Sequence, residues 1–447
     1  MSTTTNTKYL IIGNSAGGIG AAEAIREVDG VGKITIISDE PYPAYSRPLI
    51  SEYLAQPCPL EKMLYRKPDF YKANGIQSVP GEKAVAINPA EHTVKLESGG
   101  FIKWRKLLLA TGGTPIVPTM EGIDLKGVFT FNRLDDAKAI DTFLNEYRSN
   151  VKAVVIGGGL IGVSVTEALV KWGVEVTIVE MKDYVLNTIL DEEAAALEAD
   201  ALEQASVGII TGRTVAKINS QTAGEVGSVT LDDGRTLPAD MVIIAIGVKP
   251  RLDLVAGTKI KTNRGIVVDR TMAASLPDIY VCGDAAEAYD FVMGENRPTP
   301  VWPNAYEGGC AAGLNMAGKK TEYTGGTSMN ALKYFGLNIV SAGLVNPPDD
   351  GYKTIVNRHN GTYRKVILKK GKLAGFAFAG DIEKSGIIYN LMKDGVNVDS
   401  FKQQLVADDF GLASLPESAW RSKLAKPSAS AVPITTAEPK EEAVIGD

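Results

Sequence analysis

Gly157, Gly159 and Gly162 stand between the apolar run AVVI and a helix-like segment, and Glu180 closes the next apolar run. A tight strand-to-helix turn of this composition presents backbone N–H groups and the positive end of a helix to a pyrophosphate. Its glycines let the phosphate approach and let helix and strand pack closely. A carboxylate at Glu180 can accept hydrogen bonds from an adenosine ribose and would repel a 2′-phosphate, which favours NAD(H) over NADP(H). Lys182 sits close enough to weaken that repulsion. A glycine motif alone says little, but within a βαβ frame and with the acid in place it is specific. Leu160 and Ile161 open the helix, and with the loop at Gly247 they are the expected wall on the nicotinamide side.

Nearer the N-terminus KYLIIGNSAGGIGAAEAIREVDGVGKITIISDE, residues 8–40, repeats the same plan with a departure. Here the turn reads Gly13, Ser15, Ala16, Gly17, Gly18, with serine at the middle glycine, where its hydroxyl can serve a phosphate. Asp39 is the expected ribose acid, with Glu40 beside it. The repetition extends further: TVKLESGGFIKWRKLLLATGG (93–113) and SVTLDDGRTLPADMVIIAIGV (228–248) are each a hairpin followed by an apolar strand. The short apolar runs suit buried parallel strands. The fold class expected is therefore α/β, with two Rossmann-like domains carrying β-meanders and a C-terminal α+β domain. The expected boundaries are 1–117 with 250–322, then 118–249, then 323–420, with strands and turns giving way to helical stretches near residue 420. Residues 421–447, polar and rich in Pro, Ala and Ser, read as a disordered tail.

Composition bounds the rest. With 447 residues the chain exceeds one ordinary core. A net charge of −6 gives no reason to expect a nucleic-acid partner. No secretory signal and no membrane-spanning apolar run is visible, so a cytoplasmic protein is expected. Cys58, Cys282 and Cys310 form no CxxC pair, and His92 and His359 stand in separate surface hairpins. A disulfide framework, a metal site and an iron–sulfur cluster are all disfavoured. Redox chemistry would have to come from a bound organic cofactor.

Tandem dinucleotide folds, the strand ends Ala110-Thr111-Gly112 and Ala245-Ile246-Gly247, and IYVCGDAAEA (279–288) together resemble the two-dinucleotide-binding-domain flavoproteins of the pyridine nucleotide–disulfide oxidoreductase type, over residues 8 to about 415. The resemblance implies FAD in the first copy and NAD(H) in the second. It also implies Asp284 on the ribityl or phosphate oxygens of FAD, Val85 among the FAD contacts, and Trp302 and Asn304 near the flavin. YSRPLISEYL (45–54) is similar to the branch without a redox disulfide, which includes rubredoxin, ferredoxin and nitrite reductase flavoproteins. Arg47 takes the place where disulfide-bearing relatives have a cysteine, and a guanidinium can bind an FAD phosphate or lie at the flavin edge. A lysine and a glutamate that pair beside the flavin in relatives fall, by count, at Ser51 and Ser164.

By this resemblance the chain moves electrons between NADH and a ferredoxin-like or rubredoxin-like carrier, with homo-oligomers possible. The alternatives are an NADH oxidase or peroxidase-like enzyme and a non-enzymatic flavin-binding regulator. An acidic carrier would want a basic face, and Arg358, Arg364, Lys365, Lys369, Lys370 and Lys372 cluster in the C-terminal hairpins, where lysines also serve simply to keep a strand edge soluble.

Overall fold

The computed structural model describes residues 4–147, 150–221, 224–359 and 361–417; the expected tail lies outside them. The two repeats build two parallel sheets of the same order. In the first, Tyr9–Ile12 lies between Ile34–Ser38 and Lys106–Leu109, with Ile76–Pro80 and Ile279–Val281 at the edges. In the second, Lys152–Ile156 lies between Glu175–Val179 and Met241–Ile244, with Gly208–Ile210 and Val128–Thr130 outside. YLII is buried at all four positions, as a central strand covered on both faces requires. The hairpins seen in the sequence form an antiparallel sheet beside each repeat.

The two outermost places are filled from opposite directions in the chain, because Val128–Thr130 precedes its repeat and Ile279–Val281 follows both. The chain crosses between the sheets twice, and the crossings pair antiparallel as Gly113–Pro115 with Val248–Pro250. The expected boundary at 249/250 falls inside this second crossing strand.

Beyond residue 323 a five-stranded antiparallel sheet forms, in the order Met329–Tyr334, Leu337–Gly343, Lys372–Ala379, Thr362–Lys369, Lys353–His359. Both of its faces are covered. Val366, Phe376 and Phe378 pack with the helix Ser385–Lys393 and the segments after it, while Ile339, Tyr363, Ala377 and Ala379 join the core of the second parallel sheet. The helical stretches expected toward residue 420 reduce to this one α-helix and two short 3₁₀ turns, Gln404–Val406 and Leu412–Ser414.

YSRPLISEYL folds as a 3₁₀ turn, Arg47–Leu49, running into a short helix, Ile50–Ala55. Ile50 and Leu54 point into the core of the second parallel sheet, and the Trp172 indole N–H donates to the Leu54 carbonyl at 2.5 Å. This segment therefore bridges the two repeats. Among the described residues no helix is long and apolar enough to cross a membrane.

Candidate functional site

A cleft of about 1820 Å³ runs between the two parallel sheets and the C-terminal sheet. One end is built by the first glycine turn. Gly13, Ser15, Ala16 and Gly17 line it at the start of the helix Ala16–Val28, together with Ala110, Thr111 and Gly112 from the neighbouring strand end and Val85 from the meander. Gly13 adopts φ +118, and a Cβ there would lie 2.0 Å from the Ala110 carbonyl oxygen. Gly18 does not line the cleft. Its missing Cβ would sit 2.0 Å from the Gly13 oxygen, so it serves the close packing of helix on turn. The first helical turn carries no acid. The positive helix end thus lies at the cleft with no carboxylate on its own first turn, which fits a pyrophosphate.

Charged groups from distant segments converge on this end. Asp39 accepts from Arg133 Nη2 at 2.8 Å and Arg251 Nη1 at 3.1 Å. Burial pushes the Asp39 carboxyl up, but the two guanidiniums outweigh it and hold the group below its ordinary range. Glu40 is paired with Arg47 and accepts from the Tyr45 hydroxyl at 2.6 Å. Arg47 also donates to the Asn132 carbonyl at 2.9 Å, and Tyr45 accepts from the Leu134 amide at 3.1 Å. Asp39, Glu40, Arg47, Arg133 and Arg251 all line the cleft. Asp284, in the 3₁₀ turn Gly283–Ala285, lines it too, and burial raises its carboxyl against the opposing pull of Arg47.

Burial works against the thiolate at two of the three cysteines. Cys282 lines the cleft beside Gly283 but is fully buried, and burial pushes its thiol far up, against the thiolate that sulfur chemistry needs. Cys310 is half-buried, its thiol pushed up to about 11 chiefly by burial, and Cys58 is half-buried in the other core.

The second glycine turn stands at the other end. Gly157 has φ +105, and a Cβ on Gly162 would lie 1.9 Å from the Gly157 oxygen. Glu180 Oε2 accepts from the Gly158 amide at 2.6 Å and Oε1 from the Lys182 amide at 2.8 Å, so the acid is held against the turn. From the helix Leu160–Lys171, the residues Leu160, Ile161, Ser164, Glu167 and Lys171 line the cleft; Gly157, Gly159, Gly162, Glu180 and Gly247 lie outside its lining. Ser51 does line it, as Ser164 does, but the neighbourhood is not uncharged, because Glu52, Glu167, Lys171 and Lys333 share the wall.

Trp302 lines the cleft half-buried, edge-on to Tyr65 with ring centroids 5.0 Å apart. Asn304 does not line it, and its side-chain amide donates to the Thr327 carbonyl at 3.0 Å. No motif in the sequence signals that the C-terminal sheet also enters the cleft. Ala331, Leu332, Lys333 and Tyr334 do so. The Tyr334 hydroxyl donates to the Leu160 carbonyl at 3.3 Å and is hydrogen-bonded with Ser164. The Phe335 amide donates to Glu167 Oε1 at 3.2 Å.

Of the six C-terminal cations two are buried within the molecule, while Lys369, Lys370 and Lys372 are exposed. Arg364 is buried and paired with Asp381 and Asp408, Lys365 is buried against Asp191, and Arg358 is paired with Glu193.

Two dinucleotide folds flanking one cleft are the arrangement of a flavin- and nicotinamide-dependent oxidoreductase. The chain belongs to the pyridine nucleotide-disulphide oxidoreductase family, whose model matches residues 7–309, and residues 329–396 match the rubredoxin NAD+ reductase C-terminal domain. It is an FAD-dependent enzyme that uses NADH. Among curated relatives it is similar to the NADH-dependent phenylglyoxylate dehydrogenase subunit epsilon of Aromatoleum evansii, 30% identical over 93% of this chain and 99% of that one. It is also similar to the NADH-rubredoxin oxidoreductase of Clostridium acetobutylicum, 32% identical over 84% of this chain and 92% of the relative. The crystal structure of NADH:rubredoxin oxidoreductase from Clostridium acetobutylicum superposes with a TM-score of 0.72 at 29% identity, covering 92% of this chain and 99% of that one.

Proposed function

We propose that the enzyme passes electrons between NADH and a small iron–sulfur or rubredoxin-type carrier protein, with no cysteine in the path. The observation that carries this is the single cleft lined by the first glycine turn and by the helix that follows the second, in which Arg47 stands where a redox cysteine would be. Bound FAD supplies the capacity to accept a hydride and to release electrons singly. The chain's task is then orientation and exclusion of water. In this reading the first turn, with Ser15, Arg47 and Asp284, holds the FAD phosphates and ribityl chain, and Asp39 and Glu40 serve its ribose. Leu160, Ile161 and the Gly247 loop form the nicotinamide wall, Glu180 takes the adenosine ribose, and Trp302 with Tyr65 marks the edge where a carrier docks. In the same reading residues 1–117 with 250–322 bind FAD, residues 118–249 bind NAD(H), and the C-terminal sheet closes the nicotinamide side.

The full-length match to a subunit of an NADH-dependent dehydrogenase favours one refinement. The carrier can be a partner subunit as well as a diffusible protein. The internal pairing of Arg364 and Lys365 is consistent with docking elsewhere than on the C-terminal hairpins. Anaerobic stopped-flow tests the proposal. NADH should bleach the flavin rapidly, and ferredoxin or rubredoxin should restore its colour faster than oxygen does. Reoxidation by oxygen alone would make the enzyme an oxidase.

A further inference from the structure

Glu198 lies on the helix Glu192–Gln204 with no solvent exposure, and neither of its carboxylate oxygens has a hydrogen-bond partner. A buried, unpaired carboxylate is strongly disfavoured, so such a group keeps its proton. Burial first, and the Glu167 charge second, push the Glu198 carboxyl up to about 8. The neutral acid is the form this environment favours, and ionisation is deferred to higher pH than for an ordinary glutamate.

No cation pairs with it among the described residues, although Glu167 is itself paired with Lys171 at 3.4 Å. The helix packs on Gly208–Ile210, Leu337–Gly343 and Lys372–Ala379. The first two strands hold no titratable group, and the third holds only Lys372, at its first position, in register with Lys369. At the start of the helix Asp191, Lys365 and Tyr363 are bonded to one another, and the helix itself adds only the acids Glu192, Glu193, Asp200 and Glu203. The two groups whose charge couples to Glu198 are Glu167 and Tyr334. Both line the cleft, Glu167 from the second fingerprint helix and Tyr334 from the C-terminal sheet. Glu198 is therefore a proton-holding group behind the cleft wall, electrically in reach of what happens in it.

We propose that Glu198 is a redox-linked proton-binding site, whose carboxylate takes a proton from solvent when reduction adds negative charge to the cleft and returns it on oxidation. This rests on the reading of the cleft as the flavin site. The step makes or breaks one O–H bond at Glu198, with water as the other party, and electrons enter from NADH and leave to the carrier. Linkage makes the effect reciprocal: what reduction does to the proton's affinity, the proton does to the cofactor's affinity for electrons.

The test compares wild-type holoenzyme with Glu198→Gln, an isosteric neutral side chain, and with Glu198→Leu in case the buried amide impairs folding. Proton uptake is measured with an indicator dye during anaerobic reduction, slightly above the pH at which the carboxyl titrates. Midpoint potential is followed against pH, and infrared spectra are taken for the carbonyl stretch of an unbonded carboxylic acid. Wild type should show the stretch, extra proton uptake and a steeper fall of potential with pH in that range. Both variants should lose all three while NADH still bleaches the flavin. An infrared band that disappears in the variants while uptake and slope stay unchanged would overturn the redox linkage and leave the functional proposal standing. Failure of NADH to bleach wild-type enzyme would instead overturn the functional proposal.

Discussion

Lys365 joins the C-terminal sheet to the second dinucleotide fold through a nearly dry ion pair, and Lys365→Met should weaken that joint measurably. Its ammonium donates to Asp191 Oδ2 at 2.6 Å with Lys365 only 6% exposed. The Tyr363 hydroxyl donates to the same oxygen at 2.5 Å, and Asp191 Oδ1 caps the helix Glu192–Gln204 by accepting from the Ala194 amide at 3.1 Å. Removing one partner of a buried pair costs about 3–5 kcal/mol because the other charge is left behind. Asp191 would keep two hydrogen bonds, so a loss of about 2–3 kcal/mol is expected at pH 7. The double variant Asp191→Asn with Lys365→Met removes the stranded charge and retains a capping side chain, and should recover most of the loss. The pH dependence has a definite sign. Burial raises the Asp191 carboxyl, but Lys365 and then Tyr363 outweigh it and hold the group below its ordinary range. The pair's stabilisation is therefore present above the unfolded carboxylate value near 4 and lost as pH falls through the lower folded value. Urea titrations of the holoenzyme at neutral and acid pH should show the single variant's deficit shrinking on acidification. A deficit at pH 7 of under about 0.5 kcal/mol, or a double variant weaker than the single, would refute this view of the joint.

Gly162→Ala places a Cβ 1.9 Å from a backbone oxygen that cannot retreat, so flavin content should persist while reduction by NADH is lost; unchanged NADH titrations would argue against the packing role. Glu198→Leu should stabilise the protein progressively as pH rises from 4.5 to about 8, since the folded acid resists an ionisation the unfolded chain undergoes. The gain should reach about 3 kcal/mol at pH 7, and a pH-independent difference in melting would contradict it. Ser51→Lys, with an ammonium about 5 Å from the flavin at an effective dielectric near 20, adds about 3 kcal/mol of interaction, on the order of 65 mV before the nearby carboxylates offset part of it. A photometric titration showing no upward shift in potential would count against that placement.

What could be read from the sequence follows from how local its causes are. The repeated strand–turn–helix units, their meanders and the bridging YSRPLISEYL segment were legible because alternation, glycine spacing and a fixed proline act within a few residues. The convergence of Arg133 and Arg251 on Asp39 was not, because Arg133 follows the outer strand Val128–Thr130 of the second sheet and Arg251 follows the second crossing, both far from Asp39 in the chain. Tyr334 and Lys333 enter the cleft from a sheet that carries no motif of its own. The adjacent pair Arg364-Lys365 looked like a soluble hairpin, yet successive side chains of a strand point to opposite faces. When both faces are covered, each cation meets its own acids, Asp381 and Asp408 on one side and Asp191 on the other. Glu198 was invisible for a related reason: on a helix rich in Glu and Ala nothing marks which acid faces inward.

The central claim is electron transfer from NADH to a protein carrier without sulfur. Its most direct test replaces Cys58, Cys282 and Cys310 together with alanine and follows anaerobic carrier reduction by NADH in the flavin-loaded protein. The proposed route predicts that the cysteine-free enzyme still reduces ferredoxin or rubredoxin at an undiminished rate. Flavin that is still bleached by NADH but no longer delivers electrons to any carrier would contradict it.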